Sequence, residues 1–135
     1  MDISTNKFYD ALSFIKKIPK RRFNNWIKAL ESGEYSQARQ VLTNSQGFCC
    51  LGVYCEVNRG YEFDQYGVVH CSEGESEDHI PNFGYDGQNV FICFNDKDGL
   101  NFKEIASIAK ALRKSRSDNH AIKLLKDIGV KVTDD

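Results

Sequence analysis

The sequence has little proline, no long apolar run and no pattern of paired cysteines. Its two prolines, Pro19 and Pro81, leave no proline-rich linker that would separate domains. Its uncharged apolar runs are far shorter than the ~20 residues of a transmembrane helix, and its first residues lack the apolar stretch of a secretory signal. Five cysteines are an odd number and do not form a secreted disulfide framework. We therefore expect a cytoplasmic protein with reduced thiols and no contact with a membrane.

The common phosphate-binding and metal-binding loops are also missing. Neither G-x-G-x-x-G nor G-x-x-x-x-G-K-[ST] occurs, which excludes the usual dinucleotide and P-loop signatures. Asp96-Lys97-Asp98-Gly99 resembles part of a calcium loop, but the remaining ligand positions do not follow, so a turn is expected there. No cofactor is predicted.

Helical spacing of apolar residues organises both ends of the chain. A length of 135 residues, 41% hydrophobic and 27% charged, suits one globular domain covering 1–135. The spacing predicts helices over 5–17 and around Phe23–Leu30, and a short third helix over 35–42. After a capping box formed by Asn101 and Glu104, two further apolar stripes predict a C-terminal helical pair.

The middle of the chain is mixed. The dense apolar residues of 48–58 predict a buried helix, with a buried strand as the alternative. Strands are expected over 66–71 and 90–94, the latter on the β-propensity of Val, Phe and Ile, and a short one at 130–133. An acidic loop near 72–79 is expected to be mobile. The fold class is thus α+β, with N-terminal helices and a C-terminal helical pair around a small antiparallel sheet.

The cysteines support two chemical hypotheses in addition to that of buried core thiols. Cys50, Cys55, His70 and Cys71 could supply the four ligands of a zinc site, although no C-x-x-C pair exists and the neighbouring residues are apolar. Free cysteine commonly behaves as a small buried hydrophobe. The spacing therefore favours core thiols over a metal site.

A cysteine nucleophile is the other reading. Cys49 or Cys50 would lie at a helix N-terminus, where the helix dipole lowers a thiol pKa. His70 could act as base, and Asn95 or Asp96 could orient it. No family-specific nucleophile motif surrounds these cysteines, so the reading is kept as an alternative.

Charge is segregated along the chain. Basic residues dominate 1–28 and 101–126, whereas acidic residues dominate 56–86. Basic helical faces of this kind either pair with the acidic segment or hold phosphates. Phosphate binding, with aromatic residues added for stacking, predicts a ligand site formed by the residues Arg21, Arg22, Trp26, Tyr35, Arg39, Asn95 and Asp96.

Several motifs together resemble a group of small phage-encoded proteins of no assigned function. The first is W-x-x-A-L-x-S-G-x-Y-x-Q over Trp26–Gln37, followed by F-C-C-L-G-V-x-C over Phe48–Cys55. An N-D turn at Asn95-Asp96 and F-x-E-I-A-x-x-I over Phe102–Ile108 complete the pattern. The resemblance implies a phage or prophage origin and a host-cytoplasm setting, and it brings no established activity. Such proteins tend to be helical before the N-D turn, where Val90–Phe94 is strand-like here.

These observations predict a non-enzymatic phage accessory protein that acts by binding. It would oppose host defence by sequestering a host nucleotide signal or by blocking a host protein, with a homo-oligomer as one way to form the site. One alternative is a thiol-dependent hydrolase or transferase. Another is a nucleic-acid-binding module that uses the basic helices.

Overall fold

Six helices and six short strands make up the described part of the chain. The computed structural model describes residues 1–40, 43–65, 69–71 and 85–134, with backbone only for 69–71, 85 and 86. The helices are α1 Thr5–Lys17, α2 Lys20–Ser32, α3 Cys50–Val57, α4 Tyr85–Asp96, α5 Phe102–Lys114 and α6 Asp118–Asp127. The strands are β1 Asp2–Ser4, β2 Thr43–Asn44, β3 Gly47–Phe48, β4 Tyr61–Phe63, β5 Val69–Cys71 and β6 Lys131–Thr133.

The α+β class is confirmed. Within the described residues, the strands form three two-stranded ladders. The hairpins β2–β3 and β4–β5 are antiparallel, as expected. The third ladder is parallel: β1 pairs with β6, with Ile3 opposite Val132, so the two ends of the chain lie side by side. Of the acidic loop near 72–79, all residues lie outside the described ranges. No described helix is both long enough and apolar enough to cross a bilayer.

Aromatic side chains form the centre of the core. Trp26 of α2 is fully buried and packs edge-to-face on Tyr54 of α3, with ring centroids 5.8 Å apart, and on Phe91 of α4 at 5.7 Å. Phe91 in turn contacts Phe14 of α1 at 5.5 Å. Edge-to-face aromatic pairs contribute about 0.5–1.5 kcal/mol each beyond the burial of their surface. The cluster therefore stabilises the packing of four helices at one point.

Local signals correctly placed several elements. The helix α1 has the predicted bounds, and α2 ends at Gly33, whose φ of 77° suits glycine. The capping box at the start of α5 is present, with reciprocal hydrogen bonds of 2.8 Å and 3.0 Å between Asn101 and Glu104. The cysteine-rich segment forms the buried helix α3, and the terminal strand is β6.

The strand predicted over 90–94 is wrong, since these residues form the second half of α4. Val90, Phe91 and Phe94 are buried on that helix. Their i, i+1, i+4 spacing buries one helical face against the core, and this packing outweighs the β-propensity of the individual residues. The helical character implied by the phage-protein resemblance was the better guide here.

The third helix predicted over 35–42 is also not formed. Among its described residues, Ala38 donates its amide to the Phe48 carbonyl at 2.7 Å, and Phe48 donates to the Ser36 carbonyl at 2.8 Å. Gln37 makes an isolated parallel bridge to Phe48. The backbone of this segment therefore bonds to β3 instead of to itself, and its described residues are irregular, with Gln40 at a φ of 69°.

Gly87 marks the closest approach of α4 to α1. A Cβ placed there would lie 2.8 Å from the Asp10 carbonyl oxygen and would also collide with the Cβ of Phe14. Both obstacles are backbone or near-backbone atoms, which cannot move aside as a flexible side-chain end can. We therefore expect Gly87→Ala to destabilise the protein by roughly 1–3 kcal/mol through overpacking, whereas the same change in an exposed helix would stabilise it.

Urea unfolding of Gly87→Ala and of Asn89→Ala, an exposed site on the same helix, tests this packing. Asn89→Ala should be neutral or slightly stabilising, by about 0.5 kcal/mol at most. A stabilised Gly87→Ala protein would show that α1 and α4 are not in close contact.

Candidate functional site

Trp26 is a core residue and not a stacking surface. Its side chain is fully buried, and its indole Nε1 donates a hydrogen bond of 2.8 Å to the carbonyl oxygen of Cys50. That bond anchors α2 to the first turn of α3. The prediction that Trp26 contacts a ligand is therefore wrong, because no face of the ring reaches the surface.

Asn95, at the end of α4, is the centre of a buried hydrogen-bond network. Its Oδ1 accepts hydrogen bonds from Gln37 Nε2 at 2.7 Å and from the Cys50 amide at 3.2 Å. Its Nδ2 donates to the Ala38 carbonyl and to Asp96 Oδ1, both at 2.8 Å. We call these contacts the Asn95 network. They join α4, the irregular segment at 37–40 and the start of α3.

The neighbouring residues that were predicted to bind a ligand are also used within the protein. Arg39 Nη1 donates to the carbonyl oxygen of Asn95, and Asp96 Oδ1 accepts from the Gln40 amide at 2.8 Å. The ring of half-buried Tyr35 packs edge-to-face on Phe48, at 5.7 Å between centroids. These residues therefore hold the fold together around the Asn95 network.

The thiols of Cys49 and Cys50 are poorly suited to nucleophilic attack. Both side chains are buried, and burial raises the pKa of the Cys49 thiol even though its Sγ accepts a hydrogen bond of 3.4 Å from the Gly52 amide. Burial raises the pKa of Cys50 well above its usual value, and the nearby Cys49 and Asp96 raise it further. Desolvation therefore outweighs the helix N-terminus, and neither thiol is ionised at neutral pH.

The other residues predicted for a cysteine nucleophile or a zinc site do not complete either site within the described structure. Asn95 contacts the amide of Cys50, and none of its hydrogen bonds to the described residues reaches a histidine. Cys55 is buried in α3. His70 and Cys71 lie on β5, but their side chains are outside the described residues. Among the described side chains, no group of three or more His, Cys, Asp or Glu residues is placed to hold a metal ion.

Arg21 and Arg22, by contrast, line a basic pocket between the start of α2 and the end of α3. The pocket has a volume of about 280 Å³ and is lined by Arg21, Arg22, Asn25, Val57, Asn58 and Arg59. The guanidinium of Arg22 is positioned by a 3.0 Å hydrogen bond to the Arg59 carbonyl and lies 5.8 Å from the centroid of the Tyr61 ring. We refer to this cavity as the arginine pocket.

Two asparagines hold the walls of the arginine pocket together. Asn58 is buried, and its Nδ2 donates to the Tyr54 carbonyl at 3.0 Å and to the Arg22 carbonyl at 3.4 Å. Its Oδ1 accepts a hydrogen bond of 3.3 Å from Asn25 Nδ2. The end of α3 is thus tied to the first turns of α2 at several points. Neither Asn58 nor Arg59 was predicted, because only the packing of α3 on α2 brings them beside Arg21.

The charge of the arginine pocket is not compensated within the described residues. No acidic residue lines it, and no described carboxylate forms a salt bridge with its three arginines. Lys20, Arg21 and Arg22 also open α2, whose N-cap residue Pro19 makes no side-chain cap. Cations at a helix N-terminus oppose the dipole by about 0.3–1 kcal/mol each. Residues that lower the stability of their own helix in this way are typical of a functional surface.

Other basic residues have structural roles. Lys16 Nζ donates to the carbonyl oxygens of Arg113 and Ser115, at 2.8 Å and 2.6 Å. Arg113 Nη1 donates to the Ile15 carbonyl at 2.8 Å, and its guanidinium lies 5.0 Å from the ring centroid of Phe23. Each side chain therefore satisfies carbonyls at the end of the other residue's helix. These two cations from the basic segments are used within the fold.

One comparison with known proteins gives a match. A family model described as a domain of unknown function (DUF8296) matches residues 19–70. Neither the curated proteins nor the solved structures give a significant match. The matched stretch runs from the residue before α2 into β5 and includes all six residues of the arginine pocket. Asn95 lies outside it.

Removal of the Asn95 side chain should destabilise the fold strongly. In Asn95→Ala, the Cys50 amide and the Ala38 carbonyl lose a buried partner. We expect a loss of roughly 3 kcal/mol in the free energy of unfolding, because each stranded buried group costs about 1–3 kcal/mol. Chemical denaturation measures this loss. The exposed helical Asn24→Ala is the matched control and should change stability by no more than about 0.5 kcal/mol. Equal effects at both sites would contradict the network's importance.

The raised thiol pKa values predict slow alkylation. With iodoacetamide at neutral pH, Cys49 and Cys50 of the folded protein should react at least roughly tenfold more slowly than an exposed cysteine, since the thiolate is the reactive form. Peptide mass spectrometry identifies the labelled positions, and labelling in denaturant provides the reference. Rapid modification of either residue in the native protein would instead support the thiol-dependent hydrolase or transferase.

Proposed function

We propose that the protein is a non-enzymatic binding protein that holds a phosphate-bearing small molecule, such as a nucleotide, in the arginine pocket. The observation that supports this most directly is that Arg21, Arg22 and Arg59 line one pocket without a carboxylate partner among the described residues. In the setting implied by the phage-protein resemblance, it would act in the host cytoplasm by sequestering a host nucleotide signal.

The chemistry of the pocket suits a phosphate. Arginine stays charged at any physiological pH, and its planar fork matches two phosphate oxygens at once. Arg22 is already positioned by Arg59 and Tyr61, so less side-chain freedom would be lost on binding. The volume of about 280 Å³ is close to the lower end of small-molecule sites, which start near about 300 Å³. That size fits one nucleotide unit.

The other candidate functions have less support. The raised pKa values of Cys49 and Cys50 speak against the thiol-dependent hydrolase or transferase. A nucleic-acid-binding module would need a continuous basic surface, whereas Lys16 and Arg113 are occupied by backbone carbonyls. A concave, polar pocket favours a small-molecule ligand over the blocking of a host protein.

Charge reversal in the arginine pocket tests the proposal. We expect Arg21→Glu to weaken binding of adenosine 5′-monophosphate at least tenfold, which corresponds to about 1.4 kcal/mol, as measured by isothermal titration calorimetry. The same change should raise the melting temperature slightly, because an acidic residue in the first turn of α2 is favoured by the helix dipole. Loss of binding together with gained stability would separate a binding role from a structural one.

Lys7→Glu is the matched control. Lys7 is an exposed cation in the first turn of α1, where its amide donates to Ser4 Oγ at 3.3 Å. This variant makes an identical change in net charge and adds the acidic half of a capping box, yet it leaves the arginine pocket intact. Its affinity should stay at the wild-type value. Equal weakening in both variants, or no binding of the nucleotide or of inorganic phosphate by the wild type, would refute the proposal.

A further inference from the structure

We infer that the arginine pocket selects a terminal phosphate monoester over a phosphodiester; this deepens the proposed function and rests on it. The ligand class would then be linear mononucleotides and similar monoesters. Cyclic nucleotides and internal nucleic-acid phosphates would bind more weakly. Three properties of the pocket support this inference: its donors, its net charge and its size.

Hydrogen-bond donors dominate the lining. Three of the six lining residues are arginines, whose guanidinium groups carry only donors. Among the possible acceptors, Asn58 Oδ1 already accepts from Asn25 and the Arg59 carbonyl already accepts from Arg22, which leaves Asn25 Oδ1 as the remaining side-chain acceptor. The group that enters should therefore consist almost entirely of acceptors. A monoester dianion offers three unprotonated oxygens, whereas a diester offers only two outside its ester bonds.

The charge balance favours the same choice. The three guanidinium groups have no salt-bridge partner among the described carboxylates. Electrostatic attraction scales with the ligand's charge, so a dianion gains about twice the attraction of a singly charged diester. Arg59 and Arg21 are exposed at the two sides of the pocket, which allows both to approach one phosphate.

The size of the pocket adds a steric reason. About 280 Å³ bounded by two short stretches of chain, 21–25 and 57–59, is a single compartment. An internal nucleic-acid phosphodiester joins two nucleosides, which together exceed a compartment that fits one nucleotide unit, whereas a cyclic nucleotide is distinguished by its single charge and its two free oxygens. A terminal phosphate carries only one substituent, so its three free oxygens can all face the arginines.

The protonation of the ligand provides the test. Arginine, asparagine and valine, the residue types that line the pocket within the described part of the chain, do not titrate between about pH 5 and 8. The other charged or titratable residues on the elements around it are Lys20, Lys28 and Glu31 on α2, Cys50, Tyr54, Cys55 and Glu56 on α3, Tyr61 and Glu62 on β4, and His70 and Cys71 on β5. A phosphate monoester loses its second proton near about pH 6, whereas a diester keeps one charge throughout.

The experiment compares adenosine 5′-monophosphate with adenosine 3′,5′-cyclic monophosphate on the full-length protein by calorimetry. Near neutral pH we expect the linear nucleotide to bind at least roughly tenfold more tightly. The ratio of the Kd of the cyclic nucleotide to the Kd of the linear one should then fall by about fivefold or more at about pH 5. A positive charge gained by His70 at low pH would favour the dianion and raise the ratio, so a fall in the ratio reports the ligand's own loss of charge.

Arg59→Gln is the informative variant, since it removes one exposed charge and should lower the ratio at neutral pH. Lys7→Glu should leave the ratio unchanged. Equal affinity for the two nucleotides, or a ratio independent of pH, would overturn the monoester inference while the proposed binding function survived. Failure of both nucleotides to bind would overturn both.

Discussion

One buried amide, the side chain of Asn95, holds together three segments that are distant in the sequence. Its four hydrogen bonds reach Gln37, Ala38, Cys50 and the adjacent Asp96. Partial loss of a buried polar network is costly because the remaining groups cannot reach water. The network therefore fixes where α3 begins relative to α4 and to the irregular segment at 37–40.

The position of α3 also determines the candidate site. Trp26 fixes the first turn of α3 to α2 through the Cys50 carbonyl. Eight residues later, roughly 12 Å along the helix axis, Asn58 and Arg59 face the start of α2. The Asn95 network thus lies at the N-terminal end of α3, and the arginine pocket lies at its C-terminal end.

The motifs that resemble phage proteins mark this scaffold. Trp26 and Gln37 belong to the first motif, Cys50 to the second and Asn95 to the N-D turn, and a chain of hydrogen bonds connects all four. The residues that line the arginine pocket lie just outside these motifs. Prominent sequence features here identify the architecture, while the binding chemistry that we propose depends on less prominent arginines beside it.

The elements that could be predicted from the sequence are those set by local spacing and caps. The bounds of α1, the stop at Gly33 and the capping box of Asn101 and Glu104 depend only on near neighbours. The segments at 35–42 and 90–94 were mispredicted because their partners are distant: β3 for the first and, for the second, α1, where Phe14 contacts Phe91.

The same reason explains the uneven prediction of the site. Arg21 and Arg22 were found because they are adjacent cations at a helix start. Asn58 and Arg59 were missed because nothing local to them indicates that α3 ends against α2. Trp26 fits the apolar stripe of its own helix, and that spacing indicated its core position more reliably than its potential for stacking on a ligand.

In our proposal the motif residues hold the fold, and the arginine pocket binds the ligand. A titration of the isotopically labelled protein with adenosine 5′-monophosphate, followed by two-dimensional NMR, separates these two roles. We expect the largest chemical-shift changes at the amides and guanidinium groups of Arg21, Arg22 and Arg59, with Cys49, Cys50 and Asn95 nearly unchanged. Changes centred on Asn95 and Cys50, with the arginines unaffected, would contradict the proposal.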